Sequence, residues 1–227
     1  MSLTPSPGSR PLGRATKLTI VPGDAPGPEA PVLDAAGRLF RQKGFAATTI
    51  RDIADAAGVW PGSLHYRYKT KEAVLLALME RGIALAEAGF RAATEGATDP
   101  IDRLRLAIRA HVAMLAGNDH GTYVLLYEGR LLEGEARARM ARLRDRYDAL
   151  WDGLLYQAVG TGRVQPDVDV RLARLFILGA INWVPQWYSE GGSLTPDQIA
   201  DAFTDRVLHG LLRPAADGPA KRRPRPR

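Results

Sequence analysis

Between residues 30 and 212 apolar side chains return every three or four positions, and no stretch alternates in the way a strand would. That periodicity constrains the chain more than any other feature: it calls for amphipathic helices packed on one another and leaves no material for a sheet. The pattern is broken in an odd place. In TTIRDIADAAGVWPGSLHYRYKTKE, from Thr48 to Glu72, a short apolar run stops at Gly58. Trp-Pro-Gly then restarts the chain into a segment that ends in His, Tyr, Arg, Tyr and Lys.

Helix signals place the elements. Val32, Leu33, Ala36, Leu39 and Phe40 make a stripe that closes at Gly44, where a helix would end. A second helix opens at Thr49 with the capping box Thr-Ile-Arg-Asp and turns Ile50, Ile53, Ala54 and Ala57 inward. A third, short helix starts at Pro61 with Leu64 and Tyr68 on one face. A long fourth runs from Thr70 through Leu75, Leu78, Met79, Leu85 and Ala86 towards Thr94, and others are expected at about 100–116, 120–131 and 134–159. DVRLARLFILGAINWV is apolar nearly all round, so it should be buried on more than one side, with Pro185 kinking or ending it. It is too short and too interrupted, by Arg174 and Asn182, to span a bilayer. A last helix follows a second capping box, Thr195-Pro196-Asp197-Gln198, and carries Ile199, Phe203, Val207 and Leu211 on one stripe. The fold class is therefore all-α, with about nine helices.

Four regions follow. Residues 1–29 are rich in Pro, Gly and Ser and read as a disordered tail without a signal-peptide core. Residues 30–75 form a helical head, 76–213 a helical body, and 214–227 a basic tail ending in KRRPRPR. That tail is either a solubilising end or an arm adding non-specific attraction to phosphates. The net charge of +6 is uneven: residues 30–72 carry +3, whereas 73–213 carry −2. A polyanion is thus favoured at one end of the folded part only. With no cysteine, disulfides, thiolate metal sites and cysteine nucleophiles are excluded, and a reducing cytoplasm is the compartment that fits. His65 shows no ligand spacing with His111, His120 or His209, so no metal is expected. No Ser-His-Asp arrangement or phosphate loop marks an enzyme, and neither catalytic residues nor a cofactor are expected.

The second and third helices with the turn at Gly58 fit a helix-turn-helix, the first helix acting as support. With Leu64 turned inward, Gly62, Ser63, His65, Tyr66 and Lys69 fall on other faces. Small residues there permit close approach, and the hydroxyls, imidazole and ammonium supply donors for phosphates and bases. Thr49 is a cap whose helix start can also hold a phosphate. Trp60 either staples the helix start to the core or touches DNA.

The gapless stretch LDAAGRLFRQKGFAATTIRDIADAAGV, continued in GSLHYRYKTKEAVL, resembles the N-terminal domain of the TetR-type family of bacterial transcriptional regulators. The resemblance implies a homodimer with two DNA-binding heads on bodies that dimerise and hold a small effector. It places DNA contacts at Thr49, Arg51, Trp60, Gly62, Ser63, His65, Tyr66 and Lys71. Trp60 and Pro61 depart from the family's usual Ser and basic or small residue, which removes a hydroxyl cap from the helix start.

GAINWVPQWYSEGGSLTPDQIADAF is similar to the last two helices of a subset of that family, regulators of fatty-acid and steroid breakdown that respond to acyl-CoA thioesters. Trp183, Trp187 and Tyr188 would then be pocket walls or dimer anchors. Arg171 and Arg174 either pair a phosphate of a CoA-like ligand or form ion pairs with acids such as Asp167 and Asp169. The expected protein is a repressor whose palindromic double-stranded operator is released by a small hydrophobic effector, an acyl-CoA in the favoured case, with no membrane partner. The alternatives are a regulator answering a different hydrophobic ligand, as in efflux control, and a constitutive DNA-binding protein with no effector.

Overall fold

The computed structural model describes residues 29–117 and 120–212, so the terminal tails expected at 1–29 and 214–227 lie outside the described residues except for Glu29. The head holds α1 (Ala30–Lys43), α2 (Ile50–Ala57) and α3 (Pro61–Arg67), and α4 (Lys71–Thr94) leaves it for the body. There follow α5 (Pro100–Ala116), α6 (His120–Tyr127), α7 (Gly134–Gly160), α8 (Val170–Asn182), α9 (Val184–Trp187) and α10 (Pro196–Leu211). No strand occurs among the described residues; one isolated antiparallel bridge joins Val164 to Leu212. Taken with α9 as the continuation of α8, the described residues hold the nine α-helices expected.

The head ends its helices as the sequence dictates. The Gly44 amide donates to Phe40 O at φ 81°, and Gly58 sits left-handed at φ 67° with its amide on Ala54 O and Asp55 O. At the start of α2 the Thr49 hydroxyl accepts from the Asp52 amide, 3.1 Å, while the Asp52 carboxylate accepts from the Thr49 amide, 2.9 Å. The Thr49 amide, and after it the Thr49 side chain, hold the Asp52 carboxyl below the usual carboxylate range. Trp60 supplies no side-chain cap to α3, as its lack of a hydroxyl requires.

Among the described residues two apolar clusters make up the core, and α4 belongs to both. Phe40, Ile53, Leu64, Leu75 and Met79 pack in the head together with Val124, Leu125 and Met140 from α6 and α7. Further along, Ala86 and Phe90 join Ile108, Trp151, Leu155, Ile177 and Ile181 in the body. Helix α4 thus runs unbroken through the boundary expected at 75/76, and α6 bridges to the head. A Cβ on Gly37 of α1 would lie 3.1 Å from His120 Cβ and 3.3 Å from the Gly121 nitrogen, so α1 and α6 approach at backbone distance.

Two expectations need correction. Leu85 is exposed, because Gly82, Ile83 and Ala86 take the inward positions of that turn and Leu85 falls on the far flank. Helix α6 stops at Tyr127, and 129–131 form a separate 3-10 turn. There Arg144 Nη2 donates to Leu125 O, 2.8 Å, the carbonyl that Gly129 would have bonded in a continuing helix. Within the single chain α8 buries Ile177, Leu178 and Ile181, while Leu172, Leu175, Phe176 and Trp183 stand exposed on its other side.

Candidate nucleic-acid interface and ligand chamber

The outer surface of the head carries the residues singled out for DNA. Leu64 and Tyr68 anchor α3 from below, and the Tyr68 hydroxyl donates to Glu29 Oε2, 3.2 Å. Arg67, which the sequence reading passed over, is ion-paired with Glu29. With α3 fixed in this way Ser63, His65, Tyr66 and Lys69 all point to solvent, Tyr66 at 83% exposure. Lys69 Nζ lies 5.4 Å from the centre of the Tyr66 ring, so one cation and one phenol form a joint surface. Thr49 and Arg51 are exposed at the start of α2 beside them.

Trp60 does not staple the helix start to the core. It is 76% exposed, outside the core, and its ring folds over the start of its own helix. A Cβ at Gly62 would sit 1.9 Å from Trp60 Cζ3, so glycine at 62 is what lets the indole lie there. Lys71 is placed apart from the others. Its ammonium donates to Phe45 O, Ala46 O and Thr48 O at 2.6, 3.2 and 2.7 Å and lies 4.3 Å from the centre of the Phe45 ring. An ammonium has three hydrogens, and all three are committed to the loop between α1 and α2. Lys71 therefore positions Thr48 and Thr49 and has no donor left for a phosphate.

The body contains a chamber of about 270 Å³ between α4, α5, α6, α7 and α8. Its apolar wall comes from Ile83, Ala86, Met114, Leu125 and Leu178; His111, Tyr147 and Asn182 supply a polar strip. A second cavity of about 230 Å³ adjoins it, sharing Leu115 and Thr122, and opens beside Arg41 of α1, Tyr123, Pro185 and Tyr188. The Arg41 guanidinium lies over the Tyr123 ring, 5.1 Å from its centre.

In the polar strip His111 Nδ1 is 2.8 Å from Tyr147 Oη, and Nε2 is 2.8 Å from Asn182 Oδ1. An amide oxygen only accepts, so Nε2 carries the proton, and the Tyr147 hydroxyl must donate to Nδ1. Burial holds His111 neutral, lowering its pKa to about 4 even though the Asn182 bond favours the charged form. Burial likewise pushes the Tyr147 phenol up. The same effect raises the Asp148 carboxyl, although Arg174 pulls it the other way.

The residues expected to hold the ligand are scattered. Arg174 is spent on a structural ion pair: Nη1 donates to Asp148 Oδ2, 2.5 Å, and Nε to Asp152 Oδ1, 2.7 Å. Its partners come from α7 rather than from Asp167 or Asp169, because α8 packs its inner side on α7. Arg171, Trp183 and Trp187 lie exposed on the outer side of the α8–α9 segment, and Tyr188 lines the second cavity. His111, Tyr147 and Asn182 were missed as a group. The available signal was a histidine on the apolar stripe of Leu104, Ile108 and Val112, and an asparagine inside an otherwise oily helix. Among the described residues no group of three or more His, Asp or Glu is placed to hold a metal ion, and no helix is long and apolar enough to cross a membrane.

Comparison with known proteins fits this arrangement. Residues 32–78 match the family described as bacterial regulatory proteins, tetR family, and residues 97–211 match the tetracyclin repressor-like C-terminal domain. The chain belongs to the TetR family of bacterial transcriptional regulators. Among its relatives is the HTH-type transcriptional repressor KstR2 of Mycobacterium tuberculosis, 30% identical over 80% of this chain and 92% of that one. The solved structure of the ketosteroid transcriptional regulator KstR2 of Mycobacterium tuberculosis superposes with a TM-score of 0.74 at 26% identity, covering 85% of this chain and 98% of that one. AibR in complex with isovaleryl coenzyme A and operator DNA superposes with a TM-score of 0.71 at 28% identity, covering 77% and 95%.

Proposed function

We propose that the protein is a homodimeric cytoplasmic repressor that leaves a palindromic operator when an acyl-CoA thioester of lipid or steroid breakdown occupies its chamber. The observation that carries this reading is the separation of two surfaces along one helix. Helix α4 begins beneath the outward-facing α3 and lines the chamber with Ile83 and Ala86. The resemblance to KstR2 and to AibR, a protein solved with isovaleryl coenzyme A and operator DNA, supports the ligand class.

Thr49, Arg51, Trp60, Gly62, Ser63, His65, Tyr66 and Lys69 are the proposed DNA contacts, and Lys71 sets the loop that aims Thr49. The acyl part enters the chamber, and the carrier leaves past Tyr188 and Arg41. The exposed strip Leu172, Leu175, Phe176 and Trp183 is the proposed dimer face, since apolar side chains so grouped are ordinarily covered by a partner. A ligand wedged between α4 and α6 must shift one against the other, and both pack on the head. Release requires that the ester bind the operator-free geometry more tightly, by about 1.4 kcal/mol for each tenfold loss of DNA affinity.

A mobility-shift titration on operator fragments selected from genomic DNA tests this. The wild type should bind and be released by long or ring-bearing acyl-CoA esters but poorly by free CoA. Tyr66→Ala should lose sequence-specific binding while remaining dimeric. No release by any acyl-CoA would remove the ligand class, and unchanged affinity of Tyr66→Ala would remove the assigned DNA face.

A further inference from the structure

The chamber wall holds a hydrogen-bond chain with a fixed direction and one open end. Tyr147 donates to His111, and His111 donates to Asn182 Oδ1. The chain cannot run the other way, because the Asn182 oxygen has no proton to give. Tyr147 and His111 are both buried, and Tyr127 secures the backbone of the same residue by donating to Asn182 O, 2.9 Å. The Asn182 carboxamide is therefore oriented by the bond to its Oδ1, and the backbone that carries it is fixed by the bond to its O. Its NH2 group has no hydrogen-bond partner among the described residues, and Asn182 lines the chamber. The same chamber is lined by Met114, Leu126 and Leu178, which offer no strong acceptor, and by Asp148, whose carboxylate is engaged by Arg174. A hydrocarbon filling this space would strip water from a rigid donor and return nothing.

We propose that Asn182 reads an oxygen atom on the effector, so that the chamber selects an acyl group bearing a carbonyl or hydroxyl over a plain hydrocarbon acyl group of the same size. Asn182 makes the contact; His111 and Tyr147 are positioning residues that hold its NH2 turned to the ligand. The inference rests on the thioester reading above and goes beyond it by naming a chemical feature of the acyl part. A neutral His111 is needed, since an imidazolium would have no lone pair for Tyr147, and burial keeps it neutral at physiological pH.

Isothermal titration of the full chain with a matched pair of esters tests it: cyclohexanecarbonyl-CoA, and the ring ketone in which one ring CH2 is replaced by C=O. The wild type should bind the ketone about 10- to 100-fold more tightly, the range expected when one buried donor gains or loses its acceptor. Asn182→Asp keeps an acceptor for His111 and puts an anionic oxygen where the donor was; it should abolish or reverse the preference. Asn182→Leu should bind both esters with equal affinity, and Tyr147→Phe should narrow the ratio by releasing the imidazole. The ratio between two esters is the readout, because a purely structural defect would weaken both alike. Equal affinities for the wild type, or a preference that survives in Asn182→Asp and Asn182→Leu, would overturn the assignment while leaving the thioester reading intact. Binding of neither ester would overturn the assignment, whereas the thioester reading falls only if no acyl-CoA releases the operator.

Discussion

Acidification should destabilise the body through His111, and the size of the effect follows from its surroundings. The imidazole is buried against Trp151, ring centres 5.8 Å apart, with both nitrogens engaged by Tyr147 and Asn182. In the unfolded chain it protonates near pH 6.5, whereas in the fold it resists protonation down to about pH 4. Between those values the unfolded state binds more protons, so stability falls as the pH is lowered through this window. Above pH 6.5 the group contributes nothing, and below pH 4 the loss is complete. At about 1.4 kcal/mol per pH unit, the interval amounts to roughly 3 kcal/mol. Asp148 on the chamber wall works in the opposite sense, because its raised carboxyl takes up a proton in the fold first. The wild-type curve alone therefore mixes both. Urea unfolding of the wild type and of His111→Gln, followed by tryptophan fluorescence at fixed protein concentration from pH 7.5 to 4, separates them. The difference in stability between the two proteins should shift by about 3 kcal/mol against the wild type across that range. Parallel curves would refute the reasoning, since His111 would then be titrating as freely in the fold as in the unfolded chain.

Two further outcomes follow from the geometry. Lys71→Met strands three carbonyls of the α1–α2 loop and should cost about 2 kcal/mol, a drop in melting temperature of roughly 5 °C, with weaker operator binding but unchanged sequence preference. Phe176→Glu puts an uncompensated charge in the middle of the exposed strip on α8; sedimentation should show the dimer weakened by at least about 100-fold with helix content retained.

Most of the head was legible because its signals are local. A capping box, a left-handed glycine and an apolar stripe act within one or two turns, so α2, Gly58 and Leu64 could be read directly. Tyr66 was legible for the same reason: once Leu64 faces in, the helix period turns residue 66 out. Lys71 was not, since its partners lie more than 20 residues upstream and meet it only through the packing of the α1–α2 loop on α4. The surroundings of the residues expected at the ligand were hidden for the same reason. Arg174 stands out in the sequence as a charge in an oily helix, yet what it meets depends on which side of α7 receives α8. His111, Tyr147 and Asn182 come from three helices separated by 36 and 71 positions, and no spacing rule joins them. Leu85 illustrates the limit within a single helix: a leucine beside the stripe was counted into it, though glycine and isoleucine hold the inward places.

Hydroxyl-radical footprinting of the operator complex, with and without a ring-bearing acyl-CoA, tests most directly whether a symmetric pair of α3 helices grips DNA under the chamber's control. Two equivalent protected patches should appear on one face of the duplex, centred about 34–36 Å apart, and the ester should erase both together. A single patch, or protection that persists at saturating ester, would contradict it.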